Sequence, residues 1–174
     1  MSSAEVLVLT GAAGAGKSTA FLAVAGTVPG TCFIDGDTLA SARRPWDYDE
    51  YWEFTMRVCG DVLRNGLVPV ICGIGLPSQV LPAAESAGFR VNMLALVCPP
   101  EFVRRRVVER GYGEAWRHPE RHVAVNRDLQ TVMVAPPHEF ATYDTARHDA
   151  RETARAVAAW SRSAVEQSDT DRWA

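Results

Sequence analysis

The chain holds one lysine among its 18 basic residues, and that lysine closes the run Gly11-Ala12-Ala13-Gly14-Ala15-Gly16-Lys17-Ser18. This matches the phosphate-binding pattern Gly-x-x-x-x-Gly-Lys-Ser, whose parts each have a physical task. Glycines let the backbone wrap closely around an anion, successive amide N–H groups supply positive field, and the lysine adds a point charge. Ser18 would offer its hydroxyl to a magnesium ion, and Thr19 a hydroxyl and an amide near an α-phosphate. The expected nucleotide contacts are Gly11, Ala13, Gly14, Ala15, Gly16, Lys17, Ser18 and Thr19.

Two further clusters carry charge suited to the same chemistry. Asp35 and Asp37 flank Gly36 at the end of an apolar stretch. Read as an extended segment, this pair offers one carboxylate to hold magnesium through water and the other to reach an acceptor hydroxyl. Downstream stands Arg104-Arg105-Arg106-Val107-Val108-Glu109-Arg110-Gly111. Arg106 and Arg110 are four apart, share one face of a helix and can converge on one anion; Arg104 and Arg105 read as a solvated surface.

These residues need a scaffold, and the hydrophobic pattern supplies one. Short aliphatic runs alternate with longer amphipathic ones, which marks βαβ units and a parallel sheet. Strands are expected at 5–10, 31–34, 67–72, 91–97 and 140–143, the first, third and fourth apolar enough to be buried on both faces. Helices are expected at 17–25, 49–64, 101–109 and 150–163, with a frayed polar tail after the last. The phosphate-binding pattern thus follows a strand and opens a helix, the context it requires.

Composition sets bounds on this scheme. At 174 residues, 47% hydrophobic and 22% charged, the chain has the length and make-up of one globular domain. A net charge of -3 gives no general field for a polyanion, so nucleic-acid binding through bulk charge is not expected. The four cysteines, Cys32, Cys59, Cys72 and Cys98, form no CxxC or Cys/His cluster and read as reduced core thiols. A basic leader and a run of 18 apolar residues are both lacking, so a cytoplasmic protein with no membrane association is expected.

With the Gly11–Ser18 loop, the Asp35-Gly36-Asp37 turn and the Arg106/Arg110 helix together, the chain resembles P-loop kinases of small molecules. That group includes gluconate, shikimate, adenylylsulfate and nucleoside monophosphate kinases and chloramphenicol phosphotransferase. The resemblance implies a three-layer α/β P-loop NTPase fold with a five-stranded parallel sheet in the order 2-3-1-4-5, and a helical lid at about 111–126. It implies ATP and Mg2+ as the phosphoryl donor and its metal, with Lys17, Asp37 and Arg110 as the catalytic set. It assigns Asp35, with Ser18, to magnesium and Asp37 to the acceptor hydroxyl as anchor and possible base, two roles that could be exchanged. Arg106, Arg110, Arg117 and Arg121 would serve phosphate from the lid side. Tyr143-Asp144-Thr145 followed by Glu152-Thr153-Ala154 resembles the strand-loop-helix ending of such kinases, where loop backbone packs beside the adenine.

The acceptor would be met by the stretch at about 38–66, where Asp37, Arg43 and Trp46 are the candidate contacts. Tyr48, Tyr51, Trp52, Thr55 and Met56 fit a core-facing helical stripe there. Departures from the group limit the acceptor's identity: the paired arginines of shikimate kinase are missing, as is the extended acceptor domain of nucleoside monophosphate kinases. The third strand ends in Cys72-Gly73 where many nucleotide hydrolases place an aspartate, which shifts the magnesium role to Asp35 or Asp37. Two other functions remain open on sequence grounds, a nucleoside monophosphate or polynucleotide 5′-end kinase and a nucleotide-dependent switch ATPase. The oligomeric state, monomer or homodimer, is unspecified.

Overall fold

The computed structural model describes residues 4–41, 47–111, 118–136 and 140–172. Five strands, β1 (Glu5–Thr10), β2 (Thr31–Asp35), β3 (Val68–Cys72), β4 (Arg90–Val97) and β5 (Ala141–Asp144), form one sheet in the order β2-β3-β1-β4-β5. Every neighbouring pair is parallel. This is the expected order, and the apolar runs of β1, β3 and β4 occupy its centre. All strands therefore end on one side, at Thr10, Asp35, Cys72, Val97 and Asp144. Ligands of open α/β sheets bind at those carboxyl ends.

Helices cover both faces. Along β1, Val6 and Val8 point into a core with Tyr51, Trp52, Met56, Val80 and Leu129, while Leu9 points into another with Ala20, Val24, Val157 and Ala158. The first core is roofed by α3 (Tyr48–Arg64), α4 (Pro77–Ala87) and α6 (Pro119–Val132), the second by α1 (Lys17–Val24) and α7 (Ala150–Arg172). This alternation is the two-residue period of a strand buried on both faces.

The remaining helices are α2 (Gly36–Ser41) and α5 (Pro100–Glu109). Asp47 caps α3 by accepting the amide of Asp49 at 2.7 Å. Tyr51, Trp52, Thr55, Met56 and Cys59 line its buried face, as the spacing required. Tyr48 does not join them; at the first helical position it lies 51% exposed.

Several elements depart from the sequence expectation. α4 was not anticipated, and it carries two prolines: Pro77 sits at the first position, where a proline costs nothing, and Pro82 lies on an exposed side. The second half of the helical lid expected at about 111–126 is the start of α6, and 112–117 lie outside the described residues. His122, Asn126 and Leu129 are buried there, and the Asn126 carboxamide both accepts from the Cys98 amide at 3.2 Å and donates to the Cys98 carbonyl at 2.7 Å. α7 runs well past the expected end at residue 163, with Ala164 still buried against β1 and β3.

Candidate functional site

The loop between β1 and α1 is bent tightly by its glycines. Gly14 and Gly16 have φ of 82° and 95°, values open to glycine and strained for other residues. Gly11 is demanded by crowding, since a Cβ there would stand 2.6 Å from the carbonyl oxygen of Leu96 on β4. The Ala15 amide closes an internal turn onto the Ala12 carbonyl at 3.1 Å.

Lys17 opens α1, and its ammonium folds back to donate to the carbonyls of Gly11 at 2.7 Å and Ala12 at 3.1 Å. Burial lowers its pKa below the usual lysine value, and the nearby carboxylates of Asp37 and Asp35 oppose that shift while the Arg110 guanidinium adds to it. Cys72 would oppose it too as a thiolate. Burial, however, pushes the Cys72 thiol up to about 12, so it is neutral and leaves that task to the two aspartates. One cation, two carboxylates and an arginine are thus electrostatically joined at the carboxyl end of the sheet.

The carboxylates are arranged differently from the extended pair expected. β2 ends at Asp35, whose Oδ1 accepts the Asp37 amide at 3.0 Å, and the chain turns into α2 with Asp37 in its first turn. Asp37 is helical, so strand periodicity does not govern where the two side chains point. Both side chains are exposed on the same end of the sheet. Gly36 between them is pressed against β3: an added Cβ would lie 2.8 Å from the Cys72 carbonyl and 2.5 Å from the Tyr51 hydroxyl. Tyr51 donates to the Gly36 carbonyl at 3.2 Å and so ties the turn to α3.

Beyond β3, the Gly73-Ile74-Gly75 loop is pinned to β1. The Thr10 hydroxyl donates to the Gly75 carbonyl at 2.8 Å and lies 3.1 Å from the Gly75 amide. The Trp52 ring lies directly under Gly75, and its fully buried indole N–H has no hydrogen-bond partner.

On the other flank, α5 lies across the loop. A Cβ on Gly14 would be 3.3 Å from the Cβ of Arg106, and Val103 and Val107 are buried with Ala13 packed against them. Arg106 donates through Nη1 to the Gly14 carbonyl at 3.0 Å and to the Thr145 hydroxyl at 3.3 Å. Thr145, just after β5, lies 3.0 Å from the Ala15 carbonyl. A cavity of about 330 Å³ opens here between Gly14, Gly16, Thr19, Arg106, Arg110, Thr145, His148 and Thr153. His148 is stacked on Tyr143 at 4.7 Å between ring centres.

The structure thus brings together the loop residues, Asp35, Asp37, Arg106 and Arg110. Arg121 is exposed on α6. Arg43, Trp46 and Arg117 lie outside the described residues. Arg104 forms a two-point ion pair with Glu120, with Nε 2.6 Å from Oε1, and Arg105 sits over the Phe102 ring at 4.8 Å. Both belong to the surface, as expected. Sequence reasoning missed Thr10 and His148; Thr145 and Thr153 were signalled only through the runs 143–145 and 152–154.

The donor set suits a hard cation bound with water. Ser18 and Asp35 are both exposed oxygen donors, and a carboxylate has about four lone-pair sites, so Asp35 can hold the Asp37 amide and keep capacity for magnesium.

No protein-family model and no curated protein sequence matches the chain. Solved structures do. A sugar kinase from Janibacter sp. HTCC2649 is similar at 18% identity and a TM-score of 0.65, over 91% of this chain and 94% of that one. The tunicamycin resistance protein of Deinococcus radiodurans has 14% identity and a TM-score of 0.66, over 91% and 95% of the two chains. A gluconokinase from Sinorhizobium meliloti 1021 has 18% identity and a TM-score of 0.61, over 97% and 96%. What is shared at this identity is the fold, the parallel α/β sheet with its surrounding helices that the sequence resemblance implied.

Proposed function

We propose that the chain is an ATP- and magnesium-dependent phosphotransferase that moves the γ-phosphoryl group of ATP to a hydroxyl of a small molecule. The observation that carries this is the joint placement of Lys17, Asp35, Asp37 and Arg110 at one end of the sheet, with the uncharged Cys72 at the end of β3. A hydrolase of this fold needs to position water; two carboxylates on the acceptor side are better suited to a metal and a hydroxyl. The names of the similar structures, a sugar kinase and a gluconokinase among them, support a hydroxyl acceptor such as a sugar acid, nucleoside or antibiotic-like molecule.

Each residue has a separable task. The amides of the glycine loop hold the polyphosphate, and Lys17 exchanges its two carbonyl partners for phosphate oxygens. Ser18 and Asp35 hold magnesium, which when bound supplies positive charge to the transferring oxygens. Asp37 accepts a hydrogen bond from the acceptor hydroxyl, orients it for in-line attack and takes its proton as the new P–O bond forms and the bond from the γ-phosphorus to the bridging oxygen breaks, releasing ADP. Arg110, at the end of α5 on the rim of the cavity, neutralises charge on the transferring group. Phosphoryl transfer gains most from positioning and electrostatic stabilisation, which is what these groups offer.

The test is ADP release from ATP and magnesium with sugar acids, nucleosides, nucleotides and hydroxylated antibiotics added singly. Release that depends on one acceptor, with that acceptor recovered as a phosphate monoester, is the expected result. Tight ATP binding with no acceptor effect would overturn it in favour of a switch ATPase, and release dependent on a nucleoside monophosphate or an RNA 5′ end would redirect it to those acceptors.

A further inference from the structure

We propose that Arg106 and Thr145 are positioning residues that act on bound polyphosphate through the backbone of the glycine loop. This rests on the phosphate-binding role of that loop and adds a device that its sequence pattern does not contain. In a planar trans peptide the carbonyl and the following N–H point in opposite directions. A partner that fixes the carbonyl therefore also aims the amide.

Two successive peptide units of the loop are held in this way from outside. Nη1 of Arg106 donates to the Gly14 carbonyl at 3.0 Å, while the Ala15 amide of that unit donates to Ala12 at 3.1 Å. The hydroxyl of Thr145 lies 3.0 Å from the Ala15 carbonyl, so the Gly16 amide of that unit is turned away from Thr145. Arg106 also donates to Thr145 at 3.3 Å, and the Thr145 amide is anchored on the Val97 carbonyl of β4 at 2.9 Å. The two side chains and the two carbonyls thus make one connected frame.

The frame is rigid for reasons of burial. Thr145 is 5% exposed, and Val103 and Val107, one on each side of Arg106, are buried in the cluster that carries Ala13. The left-handed φ values of Gly14 and Gly16 leave those peptide planes easy to rotate when nothing holds them. A cationic donor on one carbonyl also strengthens donation by the amide of the same unit. The guanidinium is directed onto the Gly14 carbonyl and the Thr145 hydroxyl by this arrangement.

The measurement compares binding of tripolyphosphate, which has no base, with binding of ATP, both with magnesium, in wild type, R106M, T145V, T145S and the R106M/T145V double variant. R106M keeps an apolar stem, and T145V is isosteric. Each should weaken tripolyphosphate and ATP by the same factor, roughly tenfold, the loss of a hydrogen bond to a charged or buried group. The double variant should lose far less than the product of the two, because both act on one frame. T145S should recover most of what T145V loses, which a packing defect would not. If R106M weakens ATP and leaves tripolyphosphate untouched, Arg106 serves the base and the proposal falls. It falls equally if R106M weakens both ligands while T145V weakens neither, since Arg106 would then touch phosphate directly. Wild type that binds neither ligand would instead overturn the kinase reading itself.

Discussion

The two sides of the site are built to opposite specifications. On the phosphate side, loop 11–16 is largely buried between β4, α5 and the β5–α7 turn, its carbonyls are held by Arg106, Thr145 and Lys17, and a Cβ on Gly11 has no room. On the acceptor side, β2 is an edge strand, α2 has six residues, and Asp35 and Asp37 are exposed. On the proposed function the phosphate of ATP is the same in every turnover, so a cradle for it would gain from rigidity. An acceptor must be recognised individually, and a short helix on an edge strand can change sequence without disturbing the core.

If that contrast holds, losses of charge on the phosphate side should be the gravest. Lys17→Ala and Arg110→Ala should each lower acceptor-dependent turnover by on the order of 10³-fold or more, the scale of a cation on a transferring phosphoryl group. Steady-state kinetics check this, and an unchanged rate for Arg110→Ala would move that residue to the solvated surface. Asp37→Asn should cost roughly 10²- to 10³-fold in kcat, the range of a positioned base, and leave ATP affinity intact by calorimetry. That split between kcat and binding is what would separate the acceptor side from the phosphate side; an equal loss of ATP affinity would merge them.

A steric test follows. Gly11→Ala should destabilise the fold by about 1–3 kcal/mol in denaturant unfolding, because Leu96 on β4 cannot give way. Asp37→Ala, on an exposed helix, should leave stability nearly unchanged in the same experiment.

The smallest effect is in pH. Burial lowers the Lys17 pKa from 10.5, and polyphosphate needs the cation. ATP affinity should be full below the lowered value and fall as pH rises through it, earlier than an ordinary lysine would dictate. The sign for the unliganded fold is opposite. The unfolded chain binds that proton more tightly, so stability should rise with pH across the same window. Binding and unfolding measured in parallel from neutral to alkaline pH would show both slopes.

What the sequence disclosed divides along a similar line. The central strands announced themselves because burial on both faces leaves unbroken apolar runs, and the loop because its chemistry is contiguous. α4 was hidden by two prolines, and α6 by polar residues around a buried His122 and a buried Asn126, whose carboxamide is bonded to the backbone of Cys98 just after β4. The frame around the loop was illegible for the same reason. Arg106 and Gly14 are 92 positions apart, Thr145 and Ala15 130, and a backbone carbonyl has no signature in sequence. The geometry of Asp37 was missed because one hydrogen bond from its amide to Asp35 turns a strand into a helix.

The solitary lysine has a practical corollary. Every other basic side chain is an arginine, so reagents that acylate ε-amines have one side-chain target in the whole molecule, and its nitrogen is held by the carbonyls of Gly11 and Ala12. Amine-directed labelling of Lys17 becomes a single-channel report of site occupancy. Conversely, immobilising or cross-linking this protein through lysine amines would silence the very group under study.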